Sequence, residues 1–229
     1  MIQELVWDSI FFKKKIAKIE IKKNSDKFLL RQISSDYDLI YVFSNLQLEV
    51  LKNYYIDTKI IFSKSISEPL NSPTNFTISI KSPKKINGFQ NKNLYELAYI
   101  SGHKSRFNLD SKFSDDEFKL LYRKWIDNSV QDSKTIVRIA LNKTSIVGFI
   151  TCKLKGNSSA DITLIAVDSK FHGLGLGKLL TSNVEHCLIE KNITKLYVDT
   201  QSSNLQAIKF YSQIGFHLFS KTEIYHVWK

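Results

Sequence analysis

Residues 168–180 read DSKFHGLGLGKLL, with Gly173, Gly175 and Gly177 alternating with leucines and Lys178 following. An apolar, strand-like run ends near Val167 ahead of them, and a helical apolar pattern follows. Glycines lack Cβ, so successive backbone N–H groups can converge on an anion. The start of a helix adds its partial positive charge, Lys178 adds another, and the first turn carries no acidic residue. A pyrophosphate is the ligand this predicts; the plainer reading is a tight turn whose glycines permit close strand–helix packing. Spacing excludes two nucleotide signatures. G-x-G-x-x-G from Gly173 needs glycine at 178, which is Lys178. The P-loop needs glycine where His172 stands and Ser or Thr where Leu179 stands.

Such a loop needs elements to hold it. Asp161–Val167 reads as the strand that enters it, and Leu176–Glu190 as the helix that leaves, with Leu179, Leu180, Val184 and Leu188 inward. Lys195–Thr200 reads as a further strand and Asn204–Ile214 as a helix closed by Gly215. Upstream, FSDDEF at 113–118 has Ser114 and Glu117 spaced for a capping box, and Phe113 and Phe118 for a hydrophobic staple. Phe118, Leu121, Tyr122, Trp125 and Ile126 continue the helical period, and Thr135–Leu141 and Ser145–Lys153 flank NKT as a hairpin. The first segment reads β-α-β-α-β: strands at Lys15–Lys22, Leu39–Phe43 and Asp57–Phe62, helices at Asp26–Ser34 and Asn45–Asn53. All three prolines, Pro69, Pro73 and Pro83, fall in the polar stretch Ser63–Asn93, with a short strand expected at Phe76–Ile80. That stretch suggests a division into a smaller α/β unit, 1–92, and an α+β unit, 93–229, which ends in two β-type runs.

Composition narrows the partners. At 229 residues the chain can bury one large core or two small ones. A net charge of +11 favours anionic partners. No RNA-binding signature or helix-turn-helix spacing accompanies the lysines, so nucleic acid is not expected. No apolar run approaches a membrane span. The opening MIQELVWDSIFFKKK carries Glu4 and Asp8 in a short, broken apolar run, unlike a signal peptide, and a cytoplasmic location is expected. With Cys152 and Cys187 alone and no H-x-x-x-H pair, no metal is expected.

VDSKFHGLGLGKLL resembles the acyl-CoA-binding motif of the GNAT superfamily of N-acyltransferases, through Val167, Phe171, Gly175 and Gly177. His172 stands where that motif has Arg or Gln. YVDTQSSNLQAIKFYSQIGFH resembles the family's second motif through Asn204, Ala207, Phe210, Tyr211, Gly215 and Phe216. The resemblance implies a mixed, mostly antiparallel sheet flanked by helices and direct acetyl transfer from acetyl-CoA to an amine. It implies Tyr211 as the acid that protonates the departing thiolate. It also implies a splayed strand end at Ile165–Val167 offering an N–H to the carbonyl oxygen. His172, Gly173, Gly175, Gly177, Lys178 and Asn204 would contact CoA.

A narrower resemblance is to the TDP-fucosamine acetyltransferases of bacterial surface-glycan synthesis, through LVWDSIFFKKKIAKI, SRFNLD and YRKWIDNSV. It implies a dTDP-linked 4-amino-4,6-dideoxyhexose as acceptor, with Asp57 in YYIDTKIIF as the base and Arg106 and Phe107 on the acceptor. Arg106 could pair a phosphate or sugar oxygen bidentately. The bland readings stand beside these: Tyr211 as a core tyrosine, Asp57 as a strand-entry carboxylate, His172, His186 and His217 as structural or exposed. Other amines (a protein N-terminus, a polyamine, an antibiotic), a non-catalytic CoA-binding module and a homodimer are left open.

Overall fold

The computed structural model describes residues 2–33, 36–68 and 78–229. Ten strands form one sheet: β1 (Gln3–Glu4), β2 (Ile16–Ile21), β3 (Leu39–Ser44), β4 (Tyr55–Ser65), β5 (Ile78–Lys81), β6 (Thr135–Asn142), β7 (Ser145–Lys155), β8 (Ser159–Val167), β9 (Lys195–Gln201) and β10 (His217–Trp228). Their spatial order is β1-β2-β3-β10-β4-β9-β8-β7-β6-β5. Among the described residues only β2–β3 and β8–β9 pair in parallel. The sheet is thus mixed, mostly antiparallel and flanked by helices, as expected. The final strand sits between β3 and β4, so residues from both ends of the chain share the sheet's middle.

The helices are α1 (Val6–Phe12), α2 (Tyr95–Gly102), α3 (Arg106–Leu109), α4 (Asp115–Gln131), α5 (Leu176–Ile189) and α6 (Leu205–Gln213). The capping box of α4 forms: the Glu117 N–H donates to Ser114 Oγ at 3.2 Å and the Ser114 N–H donates to Glu117 Oε2 at 2.8 Å. Asp115, Asp116 and Glu117 complement the positive helix end. Helix α4 buries Phe118, Leu121, Tyr122 and Ile126 in one core layer, which also holds Phe113. Helix α5 buries Leu176, Leu180, Val184 and Leu188 in the layer on the other face. Each such side chain contributes about 1.5–3 kcal/mol.

Strands alternate between these layers, and bulges reset the alternation. In β8, Ala160 and Ile162 face the α5 layer whereas Leu164 and Ala166 face the α4 layer. Residues of one parity change sides because the β7–β8 register slips between Thr151/Leu164 and Cys152/Ile162, leaving Thr163 as the extra residue. Val147 and Phe149 divide in the same way across the β6–β7 slip.

Several local expectations are corrected. The helices expected at Asp26–Ser34 and Asn45–Asn53 are 3₁₀ segments at Asn24–Gln32 and Glu49–Tyr54, and Ser34 lies outside the described residues. The two final β-type runs are one strand, β10, with a slip at Phe219. Leu179 is only half-buried and Leu176 takes its inward place. Of the short strand expected at Phe76–Ile80, Phe76 and Thr77 lie outside the described residues, and Ile78–Lys81 is β5. Pro69 and Pro73 also lie outside them.

Candidate active site

A cleft of about 2160 Å³ runs across the sheet where β8 and β9 part. The two strands pair only as far as Ile162↔Val198. Beyond that point β8 continues along β7, with Ile165 opposite Ile150 and Val167 opposite Gly148, while β9 continues along β4. The Thr163 bulge, tied to Thr151 through their hydroxyls at 2.7 Å, turns β8 away. Leu164–Val167 on one side and Asp199–Gln201 on the other line the resulting gap. Backbone groups of β8 past Ile162 therefore lack a β9 partner, which is what the expected role of Ile165 and Val167 requires.

At the end of β8 the glycine loop is built by three different means. Gly173 and Gly175 have φ of 76° and 78°, a conformation that costs other residues energy. A Cβ on Gly173 would meet nothing within 4 Å, so its space stays open toward the cleft it lines. Gly177 is needed for contact instead: a Cβ there would sit 3.0 Å from the Phe210 ring of α6. His172 does not copy an Arg or Gln. Its Nε2 lies 2.9 Å from the Val167 carbonyl, which ties the loop back to the strand. Lys178, half-buried in the first turn of α5, lines the cleft.

Asn204 caps α6 by accepting the Ala207 N–H at 3.2 Å, and it also lines the cleft. Two turns further, Tyr211 is 4% exposed, packed among Phe62, Phe210 and Phe216, and it too lines the cleft. Burial pushes its phenol up, reinforced by the charge of Asp199, so it keeps its proton at neutral pH. Asp199 projects into the cleft from β9, ringed by protein yet open to solvent held there. Desolvation by that surround raises its carboxyl, with Lys59 partly opposing. Asp199 and Tyr211 both line the cleft, and the phenol feels the charge of the carboxylate.

Asp57 is not brought to this pair. It is 3% exposed and absent from the lining of the cleft. Its carboxylate accepts the Thr58 N–H and the hydroxyls of Ser202 and Ser203, holding the turn between β9 and α6. Arg106 does line the cleft, at the start of α3. Phe107 lines it too, from a buried aromatic set with Phe12, Phe113 and Trp125.

Among the described residues the sequence reading missed Asp199, Asp8, Lys59, Asp110 and His226. Asp199 had a legible signal, a carboxylate in mid-strand within YVDT. The His226–Asp110 contact, 116 positions apart in sequence, had none.

The model of the acetyltransferase (GNAT) family matches residues 95–216, more than half of the chain and most of the residues that line this cleft. The chain belongs to the GNAT acetyltransferase family. Among curated relatives, it is 27% identical over 134 residues to the spore coat polysaccharide biosynthesis protein SpsD of Bacillus subtilis, covering 58% of this chain and 46% of that one. It is 29% identical over 99 residues to N-alpha-acetyltransferase 30 of Xenopus laevis, covering 42% of this chain and 35% of that one. The chain thus spans less than half the length of the curated relatives it matches. In fold it is similar to the crystal structure of a functionally unknown conserved protein from Staphylococcus epidermidis. That match has a TM-score of 0.68 at 10% identity, over 93% of this chain and 84% of that one. This GNAT chain therefore keeps one architecture through its N-terminal segment as well as through the family-matched region.

Proposed function

We propose that this GNAT chain transfers the acetyl group of acetyl-CoA directly to the amine of a nucleotide-linked amino sugar. The acceptor class is a dTDP-linked 4-amino-4,6-dideoxyhexose used in surface polysaccharide synthesis, and the setting is the cytoplasm. The observation that carries the reading is the cleft itself. Its 2160 Å³ exceeds the ~300–1,000 Å³ of an ordinary ligand pocket, leaving room for two bulky anionic co-substrates between basic walls. The match to SpsD, whose description concerns spore coat polysaccharide biosynthesis, supports a sugar acceptor.

In this proposal the open loop of Gly173 and Gly175 and the first turn of α5, with Lys178, cradle the pyrophosphate of acetyl-CoA. Gly177 keeps α5 and α6 close, His172 fixes the loop and Asn204 fixes α6. Acetyl-CoA supplies an activated thioester. Asp199 takes the ammonium proton of the acceptor, directly or through water, which frees the lone pair that forms the C–N bond. A β8 N–H in Ile165–Val167 supports the carbonyl oxygen as charge develops. Tyr211 gives its proton to the thiolate as the C–S bond breaks. Asp57 shapes the turn that carries this machinery, a more remote role than the base suggested by resemblance. The acceptor is assigned mainly to the side built by residues 1–92, and CoA to 93–229.

The test is acetyl transfer assayed by mass spectrometry across dTDP-amino-sugars, with a peptide N-terminus as comparator. The expected result is a product one acetyl group heavier from the sugar. No turnover on any nucleotide-linked amino sugar would overturn the reading. Turnover on the peptide alone would favour protein N-terminal acetylation, the reading that the match to N-alpha-acetyltransferase 30 supports.

A further inference from the structure

Arg106 is held in an unusual way for a cleft cation. Its Cζ lies 4.0 Å from the ring centroid of Tyr41, 4.4 Å from that of Phe107 and 5.3 Å from that of Phe43. Its polar neighbour is a histidine, with Nη1 3.5 Å from His226 Nε2. No ion pair to a carboxylate engages it among the described residues; Asp8 and Asp199 act on it only at longer range. The rings offer its N–H groups no oxygen or nitrogen acceptor apart from the Tyr41 hydroxyl, and His226 takes up only part of its set of donors.

His226 is itself fixed. It is 1% exposed, and its Nδ1 lies 2.6 Å from Asp110 Oδ2. That carboxylate also accepts Trp228 Nε1–H at 2.8 Å, and its Oδ1 accepts the Lys112 N–H at 3.0 Å. Burial pushes the imidazole down to about 4, so it is neutral at neutral pH. A neutral ring donating Nδ1–H to Asp110 must present Nε2 as an acceptor, and that lone pair faces the guanidinium. Asp110, His226 and Arg106 therefore form a chain ending at the cleft.

A half-buried guanidinium packed against rings, with no carboxylate paired to it among the described residues, keeps donors free for an anion in the cleft it lines. We propose that Arg106 is a second anion site, distinct from the glycine loop. There a phosphate or carboxylate carried by the acceptor pairs with the guanidinium fork, and His226, oriented by Asp110, is the positioning residue. Only the identification of the ligand with the acceptor rests on the acetyl-transfer reading. The acceptor class that follows is an amine that also bears an anionic group, with its amine at Asp199 and its anion at Arg106.

The test uses the full chain saturated with CoA, so that the glycine loop is filled, titrated calorimetrically with inorganic pyrophosphate and separately with malonate. At least one should bind, and the stronger of the two names the anion as phosphate or carboxylate. Arg106→Gln should weaken that binding about tenfold or more with CoA affinity unchanged, and Arg106→Lys should restore only part of it, since charge returns without the fork. His226→Phe should weaken binding about threefold to tenfold, and His226→Gln, which retains an acceptor, should recover most of it. If Arg106→Gln loses CoA binding and so has not folded, the Arg106→Lys titration decides. Equal affinity in wild type and the Arg106 variants, or no binding of either anion, would overturn the site. Anion binding without sugar turnover would defeat the sugar reading and leave the site standing. Sugar turnover whose acceptor KM is unmoved by Arg106→Lys would do the reverse.

Discussion

The two walls of the cleft are assembled differently. The glycine-loop side is a local construction: one strand end, one loop and the helix after it, with α6 leaning on Gly177. Its functional groups are largely backbone, so its sequence must be permissive and is therefore patterned. The side around Arg106 gathers Asp8 from α1, Tyr41 and Phe43 from β3, Arg106 and Asp110 around α3, and His226 from β10. Its groups are side chains, each free to come from anywhere the sheet brings near. A wall made of backbone advertises itself as a motif; a wall made of side chains does not.

The sharpest break between the two sides would come at the chemistry they share. Tyr211→Phe keeps the ring packing and removes the proton, so kcat should fall by about 10²–10³ with CoA affinity unchanged in a binding titration. An unchanged kcat would remove the acid role and reduce Tyr211 to a core residue.

The wall around Arg106 should be the acid-sensitive one. The folded pKa of His226 is lowered to about 4 from an ordinary 6.5, so the unfolded chain binds more protons between those values. Stability therefore falls as pH drops through that window, by about 2 kcal/mol between pH 7 and pH 5 at ~1.4 kcal/mol per pKa unit. Asp110 acts in the same direction. Burial pushes its carboxyl up, but donors from His226, Lys112 and Trp228 outweigh this and hold it low. Urea midpoints at the two pH values should show the drop in wild type and a much smaller one in His226→Gln.

Gly177→Val should cost about 1–3 kcal/mol by forcing Phe210 and α6 outward, read as a lower denaturant midpoint. Adding Phe210→Ala should return part of that loss. Gly173→Ala should cost about 1 kcal/mol, from positive φ alone, and no second-site truncation should rescue it. If both glycines behave alike, the distinction between contact and conformation in this loop fails.

Much of the glycine-loop wall was legible in sequence. Strand, glycine loop, helix, strand and helix follow in order, and the cap expected at Ser114 on α4 also forms. The roles of the glycines were not separable, because a positive φ and a 3.0 Å neighbour leave the same letter in the sequence. Asp57 and Asp199 show the same limit from the other side. Both are strand carboxylates, and only the bulge at Thr163 and the parting of β8 from β9 give Asp199 the cleft while Asp57 is enclosed by Ser202 and Ser203.

By itself the sequence determined most of the local elements, the glycine loop and the tyrosine that follows it on the next helix, because period, caps and glycine spacing act over a few residues. Only the tertiary structure decided that the last strand enters between β3 and β4, and with it that His226 meets Asp110 and Arg106. Pairings between distant strands depend on which apolar faces close together over the whole sheet, and no short window of sequence carries that sum.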